Sequence, residues 1–176
     1  VHNGRLTDRG HDTLGAEMAE TILTRLGYSK NFVHRVAWIV KNHMRFHYFA
    51  QNGDADERKW IRKEARSGEF RDSQIMREAW EQLAKVCAAD VLGCGKPNAA
   101  TDGTLAFGEC MADLSLSMPV HTKDLNYDER VIELAGKRVG EGLQYLLQQV
   151  QNGVIPNESD ALYNALDHKL RRPLEK

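Results

Sequence analysis

A chain of 176 residues with 41 % hydrophobic positions is long enough for one domain with a sizeable core, or a domain plus an appendage, and too short for two large ones. Lys and Arg total 24 against 25 Asp and Glu, which excludes the global basic field of non-specific nucleic-acid binders and leaves any RNA contact to a local patch. No apolar run approaches the ~20 residues of a membrane span, no signal-peptide core opens the chain, and Cys87, Cys94 and Cys110 form no Cys-x-x-Cys pair, so we expect a soluble, cytoplasmic protein whose thiols are small buried hydrophobes.

The opening "VHNGRLTDRG" lacks Met and is polar and turn-rich. It reads as a connection between elements, which points to a fragment or a processed product. Helical periodicity follows. Asp12 is placed to cap a helix by accepting from free backbone N–H groups, and Leu14, Met18, Ile22 and Leu26 recur behind it at every fourth position before Gly27 supplies a stop. Ser29 is placed to cap a second helix, whose Val33, Val36, Ala37 and Val40 lead to His43 near its expected end.

The charged, glycine-punctuated stretch "FAQNGDADERKWIRKEARSGEF" reads as a solvated excursion with a short helix over residues 57–65. The next helix, "SQIMREAWEQLAKVCAADVLG", carries Ile75, Ala79, Leu83, Val86 and Cys87 on one stripe and Asp90 late in its course. A loop-rich segment then leads to a helix over residues 104–116. "YDERVIELAGKRVGEGLQYLLQQVQNG" gives a short helix and a longer one, and "NESDALYNALDHKL" a capped helix after Pro156. Strand signals are almost absent and no repeat is seen, so the expected fold is all-α. Leu14, Met18, Ile22, Val36, Val40, Leu83 and Val86 are expected to share a core.

His11 at one helix start, His43 at the next helix end and Asp90 in a third helix are candidate metal ligands. Imidazole and carboxylate suit divalent transition ions, and an acidic residue behind a Val-Cys-Ala-Ala run needs a partner if buried. An arginine or a helix terminus would serve Asp90 equally. His43 and His47, four apart in "HMRFH", either face one metal from a single helix or form a solvated pair near a helix end. Spacing favours the solvated pair.

Residues 10–44, "GHDTLGAEMAETILTRLGYSKNFVHRVAWIVKNHM", resemble the HD-domain region of bacterial and phage tRNA nucleotidyltransferases, the CCA-adding enzyme and poly(A) polymerase family. The shared features are a Gly-His-acidic step, a Gly-Ala helix, an Arg-Leu helix end and a Val-containing helix ending in His-Met. "CAADVLG" is similar to the later helix bearing the superfamily's final aspartate. "KDL" and then "GEGLQYLLQQVQNGVIPNESDAL" are similar to the all-helical tail with its Gly-x-x-Leu helix and Gly-x-Ile-x-Asn turn. The resemblance implies an HD-like helical bundle over residues 1–95 and a helical body and tail over residues 96–176.

In HD enzymes the His-Asp dyad follows a buried apolar run, whereas "RLTDRG" is polar. The resemblance therefore puts His11 at the histidine downstream of the dyad, and the dyad itself before Val1 in a preceding segment or on another chain. His11, His43 and Asp90 match later ligand positions, with Asp12 a helix cap. A divalent metal (Mg, Mn, Ni or Fe) is implied, weakly held by this chain alone. The nucleotidyltransferase head is missing, since no Gly-Ser and Asp-x-Asp arrangement occurs, so the chain alone is expected to add no nucleotides. Its implied jobs are cradling a tRNA-like RNA, with "RKWIRKEAR" and "HKLRR" as phosphate contacts, or metal-dependent hydrolysis of phosphomonoesters or 2′,3′-cyclic phosphates. A metal-free helical scaffold is the third reading, and a solvated helix face is the simpler account of each basic cluster.

Overall fold

A computed structural model describes residues 10–53, 56–95 and 98–171. Residues 1–9, and with them most of the polar opening, lie outside the described residues, as does Arg172 of the last basic cluster. The described residues are helical, with no strand among them. The helices are α1 His11–Arg25, α2 Lys30–Asn52, α3 Glu57–Ala65, α4 Ser73–Gly93, α5 Asp102–Leu116, α6 Glu129–Ala135, α7 Val139–Gln151 and α8 Ser159–Arg171, with 3-10 turns at Thr122–Asp124 and Gly136–Arg138. The all-α expectation holds, and α3 and α4 begin and end where the sequence places them.

The ends of these helices are closed by the chemistry their sequence supplies. At the end of α1, Gly27 adopts φ 81°, and the N–H groups of Gly27 and Tyr28 reach back to the carbonyls of Thr24 and Leu23, which satisfies carbonyls that would otherwise face nothing. Ser29 caps α2 by accepting from the Phe32 N–H, and Asp56 caps α3 through Lys59 N–H. Asp12 does not cap α1. The residue before the helix is Gly10, at φ 80° with no side-chain cap; Asp12 sits inside the first turn, where its carboxylate accepts from the Thr13 N–H and favours the positive end of the helix dipole.

The chain forms two compact units, residues 1–55 with 78–112 and residues 56–77 with 113–176. This division interleaves along the sequence.

In the first unit, α1 packs along α2. The α1 surface facing α2 is made of small residues, with Ala16 buried and a Cβ on Gly15 falling 3.1 Å from Val40 Cγ1. The core is aromatic: Trp38 meets Trp80 edge to face at 5.0 Å, Phe46 meets Phe107 at 5.0 Å, and Leu83 and Cys87 are fully buried. Gly108 on α5 lets that helix press against α4, since a Cβ there would stand 2.2 Å from Ala84 Cβ.

The expected core needs correction in this unit. Leu83 is buried, and Val36 and Val40 are half-buried, but Leu14, Met18, Ile22 and Val86 are exposed. The four-residue spacing drifts around a 3.6-residue helix, so the stripe from Leu14 lies beside the face that meets α2 rather than on it. On α4, Val86 is displaced from the buried line of Ala79, Trp80, Leu83, Ala84 and Cys87. Cys94, in the turn after α4, and Cys110, on α5, are exposed; only Cys87 is the buried thiol expected of all three.

In the second unit, α6, α7 and α8 pack around Val131, Leu146, Leu162 and Leu166, each at most 1 % exposed. The charged stretch around α3 is not a solvated excursion. Trp60, Ile61, Ala65 and Phe70 are buried, and the Trp60 indole N–H donates to the buried Glu64 carboxylate. Four apolar residues among so many charges carry a core face that average polarity conceals. Arg66 donates to Gln151 Oε1, and Gln151 in turn donates from Nε2 to the Pro119 carbonyl.

Candidate metal centre

Three helices of the first unit bring four chemically useful side chains into two contacting pairs. His11 lies at the start of α1, His43 and His47 one turn apart inside α2, and Asp90 near the end of α4. His11 Nε2 stands 3.1 Å from His43 Nε2. His43 and His47 face each other at 6.3 Å between ring centroids, nearly perpendicular. His47 Nε2 stands 3.1 Å from Asp90 Oδ2.

Two of the three residues singled out by sequence, His11 and His43, are therefore in direct contact across 32 positions of chain. Asp90 belongs to the same cluster but touches His47, the residue that spacing set aside. His47 is not a solvated side chain at a helix end: α2 continues to Asn52, and the His47 side chain is 12 % exposed. His43 likewise sits within the helix rather than at its end. The readable signal for His47 was the i,i+4 pair itself, which puts both rings on one helix face.

The hydrogen bonds fix which nitrogens carry protons. A carbonyl oxygen only accepts, so His43 Nδ1 donates to the Val40 carbonyl and its Nε2 lone pair points at His11. In the metal-free chain His11 Nε2 is then the donor across the 3.1 Å contact. The same outward anchoring of one ring nitrogen orients histidines that ligate metals through the other. Nitrogens that share one ion as neighbouring ligands, each ~2.0–2.1 Å from it, lie roughly 3.0–3.4 Å apart. The His11–His43 separation meets that requirement. The residues present thus fit a divalent ion as two imidazole ligands. Among the described residues no three His, Cys, Asp or Glu side chains already gather around one point; the cluster is two contacting pairs on a shared helix face.

Around the cluster, Cys87 Sγ lies 3.7 Å from the His43 carbonyl. Burial, and next the negative charge of Asp90, push its thiol up to about 12. Cys87 is therefore a packed neighbour without nucleophilic character.

The basic clusters read from sequence lie in the second unit and differ from each other. On α3, Arg58, Lys59 and Lys63 are exposed, while Arg66 is held by Gln151 and Asn152. On α8, Lys169 sits 3.9 Å above the Tyr145 ring and Arg171 pairs with Asp167 at 2.8 Å, a bond that raises the arginine's pKa. Comparison with protein-family models, curated proteins and solved structures gives no match to this chain.

Proposed function

We propose that this chain is the HD-type helical module of a cytoplasmic RNA-processing protein of the tRNA nucleotidyltransferase kind, in which His11 and His43 hold a divalent metal ion for phosphoester hydrolysis. The observation that carries the reading is the 3.1 Å approach of two imidazole nitrogens from different helices, at positions already aligned by the ordered motifs. When bound, the ion supplies an acidified water and polarises a phosphoryl oxygen. His43 holds its lone pair toward the ion through its anchor on Val40. No helix among the described residues is long and apolar enough to cross a membrane.

A pair of imidazoles leaves most coordination positions unfilled, so the site is an incomplete first shell. On this reading a His-Asp dyad supplied from outside the described residues, in the same polypeptide or another, completes it and organises the attacking water. The present chain then binds metal weakly and hydrolyses slowly. RNA contact is the second role, supported by exposed Arg58, Lys59 and Lys63 on one short helix, which suit phosphate oxygens; α8, with its cations engaged by Tyr145 and Asp167, supports it less.

The test is hydrolysis of a 2′,3′-cyclic nucleotide by the chain in excess Mn²⁺ or Ni²⁺, with metal content determined before and after dialysis. The expected result is slow turnover that needs excess metal, is abolished by His43→Ala, and accompanies loss of most metal on dialysis. Turnover untouched by His43→Ala would remove the site from the reaction, and stoichiometric metal surviving dialysis would show a complete centre in this chain.

A further inference from the structure

We infer that the exposed apolar face of α1 is where a second copy of this chain docks, the two α1 helices lying antiparallel across a two-fold axis. The inference goes beyond the proposed function and does not depend on it.

Residues four apart on an α-helix form rows inclined to its axis, and such rows pack into the grooves of a neighbouring helix. Three adjacent rows of α1 have different surroundings. Gly15, Ala19 and Leu23 are half-buried, and Gly15 meets α2 at Val40. The next row, Leu14, Met18, Ile22 and, just past the helix, Leu26, is 41–63 % exposed. The row beyond it, Glu17, Thr21 and Arg25, is exposed as well. Past the carboxyl end of the apolar row, Tyr28 and Phe32 stack at 4.9 Å between ring centroids while both remain exposed. Large apolar and aromatic side chains grouped in this way beside a polar rim mark an association surface.

The polar rim identifies the occupant. Glu17 and Arg25 stand equally far from Thr21, one on each side and about 12 Å apart along the helix, too far to pair with each other. Neither has an ion-pair partner among the described residues. A two-fold axis perpendicular to α1 near Thr21 maps this pattern onto itself with the charges exchanged. Glu17 of each copy then comes opposite Arg25 of the other, while Leu14 faces Leu26 and Met18 faces Ile22 across the seam. Parallel copies would instead set Glu17 against Glu17 and Arg25 against Arg25. Self-complementarity of this kind is what an isologous interface requires, and an unrelated partner has no need of it. The patch is small, so the association is weak and concentration-dependent, and the dilute chain unfolds as a monomer.

The test is sedimentation equilibrium of the whole chain over a concentration series. The average mass is expected to rise from 19.9 kDa toward twice that value, and Met18→Glu/Ile22→Glu to hold it at one chain. Glu17→Arg alone and Arg25→Glu alone are each expected to weaken self-association by about tenfold, since each replaces two attractive pairs by two repulsive ones. Mixed together, these two variants are expected to regain association, because every pair between unlike copies again joins opposite charges. A mass of one chain at every concentration overturns the inference and leaves the face to a different partner. A dimer indifferent to Met18→Glu/Ile22→Glu, which forms elsewhere on the chain, overturns it too, as does a mixture that associates no better than its components, which excludes the antiparallel pairing. All four side chains are exposed, so helicity by circular dichroism is expected to match the parent's; the mixing result needs neither apolar substitution and decides the matter if Met18→Glu/Ile22→Glu fails to fold.

Discussion

The two units handle polar groups in opposite ways. In the second, polar side chains close the structure. Asp128 caps α6, accepts a hydrogen bond from the Ser159 hydroxyl, and shares Arg130 with Asp160. Asn157 accepts from the Asn126 N–H and donates to the Asp124 carbonyl. In the first unit, the polar residues of the α1–α2–α4 cluster contact one another: imidazole to imidazole and imidazole to carboxylate, at a partly open surface. Groups that stabilise a fold are matched with backbone or with a fixed counter-charge. Imidazoles and carboxylates that contact one another are candidates for chemistry, and in this chain such a cluster lies in the first unit.

Individual apolar side chains of the two units also differ in burial, which gives a larger test. Leu146 is fully buried among α6, α7 and α8, whereas Met18 on α1 is 53 % exposed. Leu146→Ala should cost about 2–5 kcal/mol through lost burial and the cavity left behind, while Met18→Ala should change stability by less than about 0.5 kcal/mol. Urea denaturation of both variants measures the difference. Equal effects would mean that the Leu14–Met18–Ile22 stripe is packed.

A smaller but sign-sensitive effect is expected at Gly108. In an ordinary exposed helix, Gly to Ala gains about 1 kcal/mol. Here the new Cβ would lie 2.2 Å from Ala84 Cβ, with Phe46 beside it, and neither neighbour is the far end of a flexible chain. Gly108→Ala is therefore expected to lower stability, by roughly 1–3 kcal/mol. A stabilised variant would show that α4 and α5 do not press together there.

How much of this was legible in the sequence follows from which physical signals are local. Caps and stops are local, and Ser29, Gly27 and the span of α4 were readable for that reason. Helix periodicity also announced α7 and α8. The identity of the buried stripe was not local: Gly15 and Ala16 lie on the α1 side that meets α2, whereas the larger Leu14, Met18 and Ile22 dominate the pattern on paper. Trp60, Ile61 and Phe70 were hidden by the charges around them. At the site, His11 and His43 were found through ordered motifs, and their contact needed the fold. His47 was visible as an i,i+4 partner, but nothing in one dimension says that Asp90, 43 positions away, comes to meet it.

Two titrations give finer tests. The Asp128 carboxyl is lowered to about 2, first by its hydrogen bonds from Arg130 and Ser159. A depressed carboxyl contributes stability that is present above its ordinary value near 4 and is lost as pH falls toward 2. Asp128→Asn should therefore flatten the fall of stability over that window and leave the site's metal affinity unchanged; an unaltered acid profile would remove Arg130 and Ser159 as the cause. At the thiols, Cys94 and Cys110 are exposed while Cys87 is buried with its pKa near 12. A thiol reagent at neutral pH should label two cysteines rapidly and the third only on unfolding. Rapid reaction of all three would contradict the packing of α4 beneath His43.

The central proposal, that His11 and His43 bind a divalent metal, is tested most directly by following the imidazole resonances of the whole chain as Mn²⁺ is added in small steps. Paramagnetic broadening falls steeply with distance from the ion. The proposal predicts that His11 and His43 broaden together at the lowest concentrations, while His121 and His168 of the second unit, and His34 elsewhere on α2, remain sharp. Broadening of all histidines in parallel, or of His121 or His168 first, would show that the approach of His11 to His43 is a contact of the fold and not the beginning of a metal centre.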